Sequence, residues 1–154
     1  MNLFIFSLEH EENARFHCDR HVVKMCIEYA QLLSTACRLK GQDEGYRLTH
    51  VNHPCSLWVQ KSKANWRWVL DLLAALNAEY RFRYGKEPNH KSFEVAQSLT
   101  CPDLPNEGLS PFAQVMPEQY RQADCVQAYR DYFRGEKRRL AQWTKREVPG
   151  WFSN

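Results

Sequence analysis

Residues His17 to Arg38, HCDRHVVKMCIEYAQLLSTACR, contain no Gly and no Pro and are rich in strong helix formers, so the stretch reads as one helix. At 100° per residue, His17, His21, Lys24, Glu28, Gln31 and Thr35 fall within an arc of about 80°. Nearly everything around that arc is apolar, from Val22 and Met25 to Ala36 and Cys37. A surface helix has the opposite proportions, a narrow apolar stripe and a wide polar face. A helix of this kind sits inside the fold, where an unpaired polar group costs on the order of 1–3 kcal/mol. Its stripe must therefore find partners or line a pocket, and an imidazole, an ammonium, a carboxylate and an amide on one strip suit a pocket.

The chain has 154 residues, enough for one domain with a real core. No apolar run is long enough to span a bilayer, and no signal-type segment is expected. Six cysteines without a CxxC pair read as small buried hydrophobes in a reducing, cytoplasmic setting. A formal net charge of +3 is too small by itself to argue for nucleic acid, so the placement of charge matters more.

Residues 2–8, NLFIFSL, predict a short extended segment, and 10–13 an acidic lead into the central helix. A polar loop over 39–53 ends in NHP, where Asn52 or His53 can cap a helix and Pro54 suits its first turn. A long helix follows over Cys55 to Tyr84, with Trp58, Val69, Leu72, Leu76 and Tyr80 on its apolar face and Gly85 as its stop. Ser62 and Asn65 share the arc of Trp58 and Val69. A shorter helix is expected over Lys91 to Leu99. Prolines at 102, 105, 111 and 117 rule out one regular element over 100–123, yet Phe112, Val115, Met116 and Tyr120 point to an ordered loop packed on the body. Asp124 caps a last helix reaching about Lys145, with Arg130, Arg134, Lys137, Arg138 and Arg139 on its outside. That basic face is a candidate phosphate track, with Arg134 and Arg138 as its contacts. The expected fold is all-α, a compact single-domain helical bundle over 1–154 with a short extended N-terminal segment and long ordered loops.

Nucleotide-binding glycine loops, the GxSxG nucleophile motif and EF-hand loops are absent. His17 and His21 have a spacing that can chelate zinc, but HxxxH without the intervening Glu of a metalloprotease signals a hydrogen-bonding site more than a metal, and no metal or cofactor is expected. Lys24 and Glu28 are i, i+4 neighbours. Inside a pocket they combine an acid/base carboxylate with a cation or an amine nucleophile.

DRHVVKMCIEYAQL, from Asp19 to Leu32, resembles the helix that carries the catalytic glutamate in pyrimidine-dimer DNA glycosylases of the phage endonuclease V type, with Glu28 at the position of that carboxylate. NHPCSLWVQKS, from Asn52 to Ser62, resembles the same family's His-x4-aromatic stretch, with His53 and Trp58 at its two positions. A wider likeness, to phage proteins sharing HCDRHVVKM, NHPCSLW, RYGK and VPGWF, spans nearly the whole chain and brings no chemistry. The glycosylase resemblance implies a compact all-α, phage-encoded enzyme that flips a base and breaks the glycosidic bond through an imine, with or without a lyase step. The nucleophile it implies is a terminal α-amine. Asn2 is large enough for Met1 to be retained, which makes Met1 the amine, and the arginines flanking the family's glutamate are not reproduced, Ile27 and Gln31 standing nearby instead.

These readings converge on an enzyme acting on a nucleobase glycosidic bond in damaged or modified DNA. Glu28 is its carboxylate, Met1 or Lys24 its amine, and His21 an orienting or proton-relaying group. His17, Gln31, Asn52, His53, Asn65, Trp58, Arg134 and Arg138 are the expected substrate contacts. A non-catalytic binder of nucleotides or a nucleotide signal, and a base-modifying enzyme on the same scaffold, stay open as alternatives. DNA or a nucleotide is the expected partner, and no membrane is.

Overall fold

A computed structural model describes residues 1–153. The protein is all-α: among the described residues, helices α1 (His10–Phe16), α2 (Asp19–Leu39), α3 (Pro54–Val59), α4 (Lys63–Tyr84), α5 (Lys91–Gln97), α6 (Cys125–Glu136) and α7 (Gly150–Ser153) are joined by irregular chain and two 3₁₀ turns, with no strand. Helices α2 and α4 form the principal pair, and α1, α3 and α5 pack on them. No helix is long and apolar enough to cross a membrane.

The central helix is shorter at its start than its composition predicts. His17 ends α1 and Cys18 caps α2, both in extended conformation. Nothing in the local sequence forces this break; tertiary partners hold it. Two helix ends meet here, and their free backbone groups need partners. The fully buried guanidinium of Arg83, from the last turn of α4, donates to the carbonyls of Arg15 and His17 at 2.7 Å each. The amide of Asp19 donates to the Gln142 carbonyl at 2.8 Å. Arg83 is in turn held by Glu79 (2.7 Å) and Asp19 (3.2 Å), and Arg146 closes the network on Glu79 at 2.9 and 3.0 Å. Burial alone would raise the Glu79 carboxyl, but the two arginines outweigh it and hold it below the usual range.

The long helix expected over 55–84 is two helices. Ser62 accepts from the Asn65 amide and starts α4 anew, while the Asn65 side chain donates to the Trp58 carbonyl near the end of α3 at 2.7 Å. Gly85, with φ of 59°, ends α4 in the left-handed conformation that a side chain resists. Asp124 caps α6 as expected, but that helix stops at Glu136 and a 3₁₀ turn over Arg138–Leu140 replaces its predicted last turns. The loop over 100–123 is ordered: Leu104 and Met116 are buried, and one 3₁₀ turn spans Glu118–Tyr120.

The N-terminal segment is the unusual element. Leu3, Phe4, Ile5 and Phe6 are buried, yet they have no neighbouring strand to take their backbone hydrogen bonds. Side chains do so instead, as a buried backbone requires. Asn13 donates to the Phe4 carbonyl (3.0 Å) and accepts from the Phe6 amide (2.9 Å), pairing the segment as a strand edge would. The Tyr29 hydroxyl accepts from the Phe4 amide at 3.2 Å, Asn2 Oδ1 accepts from the Leu3 amide at 2.8 Å, and Arg130 donates to the Phe6 carbonyl.

Candidate active site

Threading the segment through the core delivers its first residue to α2. The Met1 amine lies 3.1 Å from Glu28 Oε1, with both side chains almost wholly buried. Lys24 Nζ lies 3.8 Å from the other oxygen, Oε2, and is itself largely exposed. Residues 21, 24 and 28 are spaced to share one face of α2, so His21 joins the same wall. The N-terminal segment closes a second side, and Tyr132 and Lys137 of α6 and its end close a third, around a pocket of about 230 Å³.

Asn2 fixes the amine. Its side-chain amide donates to the Val115 carbonyl at 2.9 Å, and its oxygen also accepts from the Tyr129 hydroxyl at 3.0 Å. Asn2 is therefore tied to the 100–123 loop, to α6 and to its own neighbour, and the amine one residue ahead of it is positioned through these bonds. Two polar atoms in this wall have no hydrogen-bond partner: Glu28 Oε2 and His21 Nδ1, both buried. Such groups carry a desolvation cost unless something occupies the space they face. The His21 ring stacks on Phe4 at 4.6 Å. Burial first, then the charges of His17, Lys24, Lys137 and Arg20, bring its pKa down to about 3, so His21 is a neutral ring that can orient a ligand but is not an acid at neutral pH.

The four residues expected to do chemistry, Met1, His21, Lys24 and Glu28, thus meet in one pocket. None of the expected substrate contacts lines it. His17 is off the stripe because the helix breaks there. It is fully buried, its Nδ1 donates to the Asn13 carbonyl at 2.7 Å, and its Nε2 accepts from the Tyr29 hydroxyl at 2.8 Å. Burial lowers its pKa to about 4, and with both nitrogens engaged it has none to offer a metal alongside His21. Among the described residues no group of three or more His, Cys, Asp or Glu is placed to hold a metal ion. Asn65 is buried and held by Trp58 and Ser110. Trp58 donates to the Pro111 carbonyl at 2.9 Å and stacks on Phe112, so it packs the core and no base can reach it. His53 caps α3 by accepting from the Cys55 amide; burial, then the Met1 amine, lower its pKa, which sets it near the pocket without lining it. Asn52 is exposed and Gln31 half-buried, both outside the lining.

Neither a family model, nor a curated protein, nor a solved structure matches the chain. The site's geometry therefore carries the functional argument alone.

The basic face of α6 is also redistributed. Arg130 reaches inward to Phe6, and Arg134 is held by Asp131 and the Trp151 carbonyl, clamping α7 onto the body. Arg134 is thus a structural cation, not a phosphate contact. Arg138 is exposed, with its guanidinium 4.8 Å over the Phe152 ring and away from the pocket. Reasoning from sequence missed Asn2, Asn13, Tyr29, Tyr132 and the pocket role of Lys137. One signal was available: a tyrosine hydroxyl on the apolar face of a buried helix requires a partner.

Proposed function

We propose that this protein cleaves the N-glycosidic bond of a nucleobase through the Met1 amine, with Glu28 as its proton shuttle. The observation that carries the reading is the 3.1 Å contact between that amine and a buried carboxylate of the pocket wall, whose second oxygen takes no hydrogen bond and has only Lys24 at 3.8 Å. A catalytic base works from within about 2.6–3.2 Å of the heavy atom whose proton it takes, and this contact meets that condition.

Glu28 takes one proton from the Met1 ammonium, leaving a neutral amine. The amine attacks C1′ of the sugar as the bond from C1′ to the base breaks, and the base leaves with the electron pair and the proton from Glu28. The carboxylate then removes a proton from the new C–N centre. It returns that proton to the ring oxygen as the sugar opens to an iminium, which water hydrolyses. Lys24 offsets the carboxylate charge from the solvent side, and neutral His21 donates or accepts a hydrogen bond to the sugar or base.

Pocket size favours this over a binder of nucleotide signals. About 230 Å³ lies below the ~300–1,000 Å³ of sites that enclose whole drug-sized ligands, and suits one sugar or one base. The test is release of free base from oligonucleotides carrying damaged or modified bases, in wild type and Glu28→Gln. Turnover should fall by about 10²–10⁴ with substrate binding retained. Full activity in the variant overturns the assignment; binding without release by the wild type favours the non-catalytic reading.

A further inference from the structure

A second cavity, of about 620 Å³, is lined by the first turn of α2 and by the chain just beyond α6. It is lined by Arg20, Tyr84, Arg139 and Gln142, together with Asp19. Arg20 and Lys24 are one turn apart on α2, about 6 Å along its axis. Lys137 and Arg139 lie two residues apart where the chain leaves α6. Each cavity therefore takes one cation from α2 and one from this stretch: Lys24 with Lys137 in the first, Arg20 with Arg139 in the second.

The second pair is available to a ligand. Arg20 and Arg139 are exposed, and among the described residues neither has a carboxylate partner. The one acid in this wall, Asp19, is already occupied. Its Oδ1 accepts from Arg83 and from the Thr144 amide, and its Oδ2 from the Thr144 hydroxyl at 2.6 Å. Tyr84 adds a half-exposed ring fixed by a hydrogen bond from its hydroxyl to the Asp19 carbonyl at 2.9 Å. Paired cations at a one-turn repeat beside an anchored aromatic ring match a ligand of repeating phosphates and planar bases.

We propose that this cavity is a subsite for the neighbouring nucleotide of a single strand, with Arg20 and Arg139 on its phosphate and Tyr84 against its base. The inference rests on the glycosidase reading for the first pocket and deepens it: the substrate is carried on a strand and is not a free nucleoside.

The test is binding of fluorescein-labelled single-stranded thymidine oligonucleotides of two, four and eight residues, and of thymidine monophosphate, to the Glu28→Gln protein. Turnover plays no part in it. Affinity should rise with length from the mononucleotide to the four-residue strand. Each phosphate contact on a single strand contributes about 0.7 to the salt slope. Arg20→Ala with Arg139→Ala, which together release that one phosphate, should therefore remove about 2.6-fold of the affinity change between roughly 50 and 200 mM salt. Tyr84→Leu should weaken the oligonucleotide about tenfold and leave inorganic polyphosphate unaffected. An unchanged salt slope, or a mononucleotide bound as tightly as the eight-residue strand, overturns the subsite. Polyphosphate bound as tightly as the oligonucleotide also overturns it. Base release from a free nucleoside would still support the first pocket, so the two readings fail separately.

Discussion

Acid should destabilise this protein well before its carboxylates titrate, because two buried histidines must stay neutral. His17 has a pKa of about 4 and His21 of about 3 in the folded chain, against about 6.5 when unfolded. Both folded values are depressed, so stability is complete above pH 6.5. It is lost as pH falls from there toward the folded values, since the unfolded chain then binds more protons. Between roughly pH 6 and pH 4.5 unfolding takes up close to two protons, a slope of about 2.7 kcal/mol per pH unit. From pH 7.5 to 5.0 the expected loss is about 4 kcal/mol, a large part of the ~5–15 kcal/mol of an ordinary domain. His53 and His90 shift the same way but are only half-buried, and they add little. Urea unfolding followed by tryptophan fluorescence at both pH values measures this directly. In His21→Gln the loss should halve to about 2 kcal/mol. Equal stability at the two pH values, or an undiminished loss in the variant, would refute the reasoning.

Two further substitutions test how the site is held in place. Asn13→Ala removes the partners of one buried amide and one buried carbonyl in the N-terminal segment, and should cost about 2–6 kcal/mol in urea unfolding; a cost under 1 kcal/mol would mean that water can replace them. Arg83→Met strips two helix-end carbonyls and half the Glu79 pairing, so a loss of about 3–5 kcal/mol is expected, against near-neutrality if Arg146 alone suffices.

Where local chemistry decides an element, the sequence was readable. Gly85, the His53–Pro54 start and the Asp124 cap all stand where their backbone roles predict. The inverted face of α2 was legible for the same reason, since a mostly apolar helix has to be buried. Its stripe divides, however: His21 and Glu28 face the pocket, while Thr35 exchanges hydrogen bonds with Thr49. Elements set by distant partners were not readable. The break before α2 depends on an arginine 66 residues downstream of His17, and no periodicity reports that. The start of α4 at Ser62 had a visible cap, but continuous helical spacing across it gave a stronger signal than one serine. Arginines were the least legible. Arg83, Arg130 and Arg134 look like any exposed cation in sequence, yet each satisfies backbone carbonyls inside the fold. The meeting of Met1 with Glu28 was foreseeable only as one of two candidate amines, because its decisive cause is the side-chain ladder that holds an unpaired strand in the core.

The proposed function stands on a covalent bond formed by the Met1 amine. Borohydride reduction during turnover on an oligonucleotide substrate, followed by peptide mapping, tests it directly, because reduction turns the iminium into a stable amine at the attacking nitrogen. An adduct is expected on the N-terminal peptide, at the α-nitrogen of Met1, and it should be lost when a Gly-Ser extension ahead of Met1 converts that nitrogen to an amide. An adduct on Lys24, or base release with no adduct at all, would contradict it.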